Sequence, residues 1–402
     1  MIKREYGMVK WNLSYLKSSK AKDEIKKYVK DYYRTKPLEV LTIENGIIIP
    51  QKDADRKLYP NTWMGLGGVV DKSGDFIRMS GIKSLFSDDL VFGGKYDYRE
   101  PVEESDETVI FMGAFQPQWG HFLVEYCTRL WYSLKNDNRY KIAYCGFACE
   151  KGEIQKPFQD FLRLLGIEKQ QLIDVRRPTR FRKIIIPEQS FLRNQYYTKE
   201  YKNIIDTAYI NICKDNLVPC EKIYFSRCLF IENGNPERER GEWEIQETFR
   251  KNGYKILFPE ILSVEEQIFY VRNCKEFAAI PSSTSDNAVF AAEATKRIYI
   301  RKAFSAVCET FQIEQMTKAA EVVFIDCYYK PYKMFPLGYG GGPHFIGATR
   351  EFFSYLKDNK MEQLPIMSYN MALFKTWYWL SVLLLKKVVL VNKYVGIASQ
   401  HY

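Results

Sequence analysis

The sequence predicts an α/β protein made of two units that face one another across a cleft, with a β-rich and helical N-terminal extension and C-terminal helices. Three observations carry this. Strand and helix signals alternate from Thr108 to Pro187, the alternation restarts at Lys222 and runs to Arg301, and a Tyr-rich helical connector over residues 194–216 separates the two runs. At 402 residues the chain also exceeds the usual size of one hydrophobic core. The expected division is an N-terminal α/β domain over residues 1–205, a second over 206–350, and helices over 351–402.

From Leu13 to Tyr33 a Lys-rich stretch suits one or two exposed helices. After Pro37 come the short strands L-E-V-L-T-I, G-I-I-I-P and G-G-V-V-D, the last followed by F-I-R-M across a hairpin turn at Lys72 to Asp75. Asp53 and Asp55 spell D-x-D, the divalent-ion motif of some sugar-transfer enzymes, but in a charged loop without a flanking apolar strand, so the spelling is read as coincidence.

The first alternation is T-V-I-F-M-G-A, a helix from Trp119, K-I-A-Y-C-G-F, a helix through F-Q-D-F-L-R-L-L closed by Gly166 as a left-handed cap, Q-L-I-D-V and R-K-I-I-I-P. The second begins with K-I-Y-F-S-R. A helix from Glu242 to Lys251 stops at Gly253, Y-K-I-L-F-P is the next strand, and Ser263 with Glu266 spells a capping box. E-F-A-A-I-P, a Ser-rich turn entering a helix, and R-I-Y-I-R complete it. Beyond Asp326 the chain turns irregular through Gly338 to Pro343, where three consecutive glycines lack the Lys-Ser/Thr of a phosphate loop and read as a flexible turn, with His344 a secondary site candidate.

Within the helix from Trp119 to Leu134, apolar residues recur at helical spacing and leave His121, Glu125, Arg129 and Tyr132 on the other side. Such a stripe is either solvated surface or a catalytic face. His121, one of three histidines, follows a glycine at the mouth of the helix, where the preceding strand delivers it to a sheet edge. That favours the catalytic reading for His121 and Glu125; Arg129 and Tyr132 are left structural.

Ser282, Ser283, Thr284, Ser285 and Asn287, between a buried strand and a helix start, fit an anion site and plain helix capping alike, while Asp286 opposes an anion unless it turns away. Arg227 ends its strand where a guanidinium can reach a diphosphate, with Arg238, Arg240 and Glu242 after it.

The ordered set G-H-F-L-V-E with R-L-W, I-Y-F-S-R, R-G-E-W-E-I, F-P-E-I-L-S-V-E-E-Q-I and a Pro-Ser turn before an Asn-bearing helix resembles glycosyltransferase family 61 over about half the chain, Thr108 to Ile300. The resemblance implies two Rossmann-like domains of GT-B type, an inverting mechanism, a nucleotide-sugar donor and no required metal or other cofactor. It also implies His121 and Glu125 as the catalytic pair. Arg227, Arg240, Glu242 and Gln267 then join the Ser282–Ser285 turn and Asn287 on the donor. The chain departs from the family where a Pro-His-Gly-Ala-Gly turn is common: Pro281 is followed by Ser282, Ser283, Thr284 and Ser285. The acceptor implied is a glycan or lipid-linked sugar of surface polysaccharide. Transfer of a polyol phosphate from a cytidine diphosphate donor, or a non-catalytic membrane-held scaffold of such a pathway, are the alternatives.

The net charge of +10 points to an anionic partner. Outside the N-terminal Lys-rich stretch there is no basic face interleaved with aromatics, so nucleic acid is not expected. Nine scattered cysteines, of which only Cys145 and Cys149 lie close, argue against a disulfide scaffold or a metal knuckle. No signal peptide is legible at the N-terminus, so a cytoplasmic protein is expected. The basic, aromatic tail over 371–395, broken by lysines, suits either a helix lying on the inner face of the plasma membrane or one that packs on the N-terminal domain.

Overall fold

The computed structural model describes residues 9–55, 57–59, 61–83, 89–146, 154–233, 239–304, 311–329, 344–364, and 377, 378 and 381. The glycine turn at 338–342, Arg238, Cys149 and nearly all of the tail over 371–395 lie outside them. Among the described residues no helix is long and apolar enough to cross a membrane.

Two sheets organise the chain. The first has seven strands. Thr179–Pro187, Glu103–Phe115, Lys141–Gly146 and Leu172–Asp174 lie side by side and parallel; Val40–Glu44 and Ile47–Lys52 each pair antiparallel with Thr179–Pro187, and Leu66–Val70 pairs antiparallel with Ile47–Lys52. The second sheet has six strands, all parallel, in the order Lys10–Tyr15, Glu321–Asp326, Lys296–Arg301, Glu276–Ala279, Lys222–Phe225 and Lys255–Leu257. The mixed α/β class expected from the alternation is therefore present.

Several local signals act as read. Gly166 closes the helix Lys156–Leu164 at φ +73°, with the Ile167 N–H reaching back to Leu162 O at 3.0 Å. Ser263 caps Val264–Asn273 reciprocally with Glu266, at 3.1 and 2.8 Å. The turn after Val70 closes through Gly74 N–H to Asp71 O at 3.0 Å, but the returning arm pairs only at Phe76 and then winds into a short helical turn, Arg78–Ser80.

The N-terminus departs from expectation. Leu13–Tyr15 is not helical but ends the strand Lys10–Tyr15, the edge of the second sheet beside Glu321–Asp326; the expected helix is Ser19–Lys26, and it buries Ala21 and Ile25 rather than being fully exposed. Trp11, stacked parallel to Phe324 with ring centroids 6.3 Å apart, holds the strand in place.

The helices Lys156–Leu164, Lys199–Ile210 and Val264–Asn273 pack on one another. Their apolar faces join Val109 and Ile142 of the first sheet and Phe225 and Phe277 of the second in one continuous buried cluster. All the parallel strands of the first sheet and those of the second end in loops, and ligands of open α/β sheets bind at such C-terminal edges.

Candidate active site

The long strand Glu103–Phe115 is kinked near its end. Phe111 faces Ala143 and Gly113 faces Tyr144, so Met112 is an extra residue bulged out of the ladder, and Gly113 takes φ +108°. The Met112 carbonyl thereby leaves the ladder and accepts from Arg129 Nη1 at 3.1 Å. The strand then delivers the chain to Trp119.

From Trp119 to Lys135 the chain is not one regular helix. A single α-turn, Trp119–His121, runs into a π-helical turn, Phe122–Tyr126, in which the Cys127 N–H bonds Phe122 O, then a tighter turn, Cys127–Arg129, and a short α-helix, Trp131–Lys135. Widening by one residue rotates the side chains after it, so the predicted polar stripe does not persist. Glu125 and Arg129 are both buried. Arg129 donates to four carbonyls, Pro187 at 2.9 Å, Met112 at 3.1 Å, and Met79 and Gly81 at 2.7 Å. Burial pushes its guanidinium down to about 10, which leaves it cationic near neutrality.

π-Turns are rare and occur often at functional sites. Here the turn carries Glu125, whose Oε2 accepts from His121 Nδ1 at 2.8 Å. The carboxylate is 9 % exposed and the imidazole 27 %. Fixing the proton on Nδ1 leaves Nε2 as a lone-pair acceptor, and Nε2 makes no hydrogen bond among the described residues. The dyad thus presents a base at the C-terminal edge of the first sheet, and the buried Glu125 can act only through His121.

The strand Glu276–Ala279 delivers the Ser-rich turn to the same place from the second sheet. Its hydroxyls are mostly spent internally: Ser282 Oγ lies 2.8 Å from Thr284 Oγ1, Ser285 Oγ donates to Ser282 O at 2.7 Å, and Thr284 Oγ1 donates to Ile280 O at 3.3 Å. Only Ser283 is exposed. The helix that the turn opens, Ser283–Asp286, is four residues long, so the turn resembles a self-capped corner more than the open anion cradle expected from its composition.

Asp286 is held within the fold. Its Oδ2 lies 3.2 Å from Arg193 Nη2 in a buried pair, and it stands 2.5 Å from where a side chain on Gly120 would begin. Trp119 Nε1 donates to Asn287 Oδ1 at 3.0 Å, and Asn287 Nδ2 donates to Thr284 O. Asn287 is therefore a clasp between the two strand ends.

Arg227 emerges one strand over. Phe225 pairs with Ala279, so the residues after each, Ser226–Arg227 and Ile280–Pro281, leave adjacent strands at the same edge, about 5 Å apart. The Glu242 carboxylate accepts the Arg227 N–H at 3.0 and 3.2 Å and the Tyr224 hydroxyl at 3.1 Å, so it holds the strand end. The Arg227 guanidinium lies over Phe230 at 5.0 Å. Glu239–Arg240 pairs in parallel with His344–Ile346, which sets the buried His344 on a strand beside Arg240, itself two residues before Glu242. Gln267 is used in structure: its Nε2 donates to Pro259 O at 2.9 Å and Leu262 O at 3.3 Å and braces that loop.

Sequence reasoning missed two residues here. Arg193 sits in the connector with no motif around it, and its pairing with Asp286 spans 93 residues. Trp63 lies in a turn of the β-rich preface, its ring centroid 5.6 Å from that of His121. Neither carries a spacing signal. Asp53 and Asp55 take hydrogen bonds from Gln51 and from the Lys57 N–H. Among the described residues no three His, Cys, Asp or Glu side chains converge to hold a metal ion. A cavity of 310 Å³ lined by Glu103, Asp174, Arg176 and Arg177 lies at the opposite end of the strand that leads to His121.

No curated protein matches the chain. Residues 119–298, which contain the dyad, Arg193, Arg227, Glu242 and the Ser-rich turn, match the family model described as Glycosyltransferase 61. The match covers somewhat less than half of the chain and supports a glycosyltransferase of family 61.

Proposed function

We propose that the protein is an inverting, metal-independent transferase of GT-B arrangement. It moves a sugar from a nucleotide-sugar donor to a glycan or glycolipid acceptor in surface polysaccharide biosynthesis, working at the cytoplasmic face of the membrane with the tail over 371–395 as its contact. The acceptor-side domain is residues 1–205. The donor-side domain is residues 206–350, whose sheet also takes in the strand Lys10–Tyr15.

The observation that carries the reading is the dyad: a part-exposed imidazole, oriented by a buried carboxylate, with its second nitrogen open at a C-terminal sheet edge. His121 Nε2 takes the proton of the acceptor hydroxyl as that oxygen bonds the anomeric carbon. The bond from the anomeric carbon to the diphosphate oxygen breaks with its electron pair on the leaving nucleoside diphosphate, and the configuration inverts. Glu125 holds the tautomer and stabilises the imidazolium that forms. Arg227 and Arg240, with the exposed Ser283 hydroxyl, meet the charge of the leaving group.

The test is nucleotide release and product formation by the full chain with a panel of UDP-, GDP-, CDP- and CMP-sugars and a mixed glycan acceptor, with product anomers read by NMR. His121→Asn abolishes transfer and preserves nucleotide binding in a thermal-shift assay. Retained transfer by that variant removes the base assignment, and a product of retained configuration removes the inverting mechanism.

A further inference from the structure

Trp63 is 43 % exposed, on a turn whose other members are fixed. Thr62 Oγ1 donates to Leu90 O at 3.1 Å, the Met64 N–H to Val91 O at 2.8 Å, the Gly65 N–H to Thr62 O at 3.1 Å, and Gln51 Nε2 to Met64 O at 3.2 Å. Met64 on one side is fully buried, with its sulfur 3.9 Å from the hydroxyl of Tyr126, the residue after Glu125. A rigid turn therefore holds an indole in water, which folding alone does not favour. The two rings meet at 59°, so Trp63 and His121 form two walls of a corner, one an apolar face and the other the base.

We propose that the Trp63 indole is the stacking platform for the pyranose ring of the acceptor. The proposal rests on His121 acting as the base of sugar transfer. The base requires a hydroxyl at Nε2, and the ring bearing that hydroxyl needs a wall to lie on. A pyranose has an apolar face of C–H bonds and a rim of hydroxyls. With its C–H face on the indole, its rim meets the imidazole. Trp63 lies outside the stretch that matches the family model, so it is a feature of this chain's N-terminal strands rather than of the matched domain. Trp63 thus binds and orients the acceptor, without a role in moving the proton.

The experiment uses the full chain and methyl pyranosides of the gluco, galacto, manno, xylo, rhamno and N-acetylglucosamine configurations as probes, in saturation-transfer NMR. The expected result is transfer to ring C–H protons of one face of at least one probe. This signal is lost in Trp63→Ala and partly retained in Trp63→Phe, and affinity for that probe falls about tenfold in Trp63→Ala, the worth of one aromatic contact. Signal that is absent from the wild type, or equal in the wild type and Trp63→Ala, overturns the platform. Trp63-dependent sedimentation with phosphatidylcholine–phosphatidylglycerol vesicles, without pyranoside signal, overturns it in favour of a lipid contact. Donor turnover is scored separately in the wild type. Absent turnover with a Trp63-dependent pyranoside signal removes the transfer reading and leaves the platform, whereas turnover with no such signal does the reverse.

Discussion

Replacing Arg129 by Met separates the two readings of the helix after Trp119. On periodicity, Arg129 belongs to a polar face, and a surface substitution there costs less than about 0.5 kcal/mol. In the fold it is 1 % exposed and its guanidinium is the donor to four carbonyls, of Pro187, Met112, Met79 and Gly81, that come from three separate segments. Methionine fills much of the volume and supplies no donor. A buried acceptor left unpaired costs about 1–3 kcal/mol, and because each carbonyl has a second lone pair the lower end applies, about 4 kcal/mol for the four. That is a large part of the roughly 5–15 kcal/mol by which domains are usually stable, near the level where the chain stops accumulating. Arg129→Lys keeps a cation with three donors and is expected to lose about half as much. Urea midpoints followed by circular dichroism measure both. A loss below about 1 kcal/mol for Arg129→Met, with Arg129→Lys no better than Met, refutes the four-carbonyl account.

Neighbouring geometry yields further outcomes. Gly113→Ala puts a side chain at φ +108° and 2.7 Å from Arg129 Nη1, so it destabilises by about 1–3 kcal/mol and is not additive with Arg129→Lys in a double-mutant cycle. Gly120→Ala meets Asp286 Oδ2 at 2.5 Å, and Arg193 prevents that carboxylate from yielding; turnover falls together with the melting temperature, and an unchanged enzyme contradicts the close approach of the two strand ends. Glu125→Gln is isosteric but lets the His121 proton leave Nδ1, so kcat falls about a hundredfold or more while the melting temperature holds near that of the wild type. Burial pushes the Glu188 carboxyl up, but hydrogen bonds from Arg34 at 2.6 and 2.8 Å and from the Glu39 N–H outweigh it and hold it below its ordinary value. Its folded pKa is thus below its unfolded one. The stability it adds is complete above the ordinary carboxylate range and is lost as pH falls toward the folded value. Glu188→Gln lowers stability at neutral pH and flattens the acid limb, and parallel acid limbs in the two proteins would disprove the pairing.

The sequence by itself determined what short-range chemistry determines. The Ser263–Glu266 box, Gly166 and Gly253 set helix ends through hydrogen bonds and positive φ within a few residues, so the alternation of both units was legible. His121 and Glu125 are four apart, and any helical turn of about that width brings them together, so the dyad was legible too. The tertiary structure decided what depends on distant partners. Lys10–Tyr15 is a strand because Glu321–Asp326, more than 300 residues on, offers an open edge, and the Lys-rich stretch that follows hid that from a local reading. Arg129 is buried because a bulge at Met112 and a π-turn rotate it toward four carbonyls, neither of which an ideal helical wheel contains. Asp286 faces Arg193, Asn287 faces Trp119, and Trp63 faces His121 for the same reason: each pair joins segments whose nearness exists only once both sheets and the helices between them have packed.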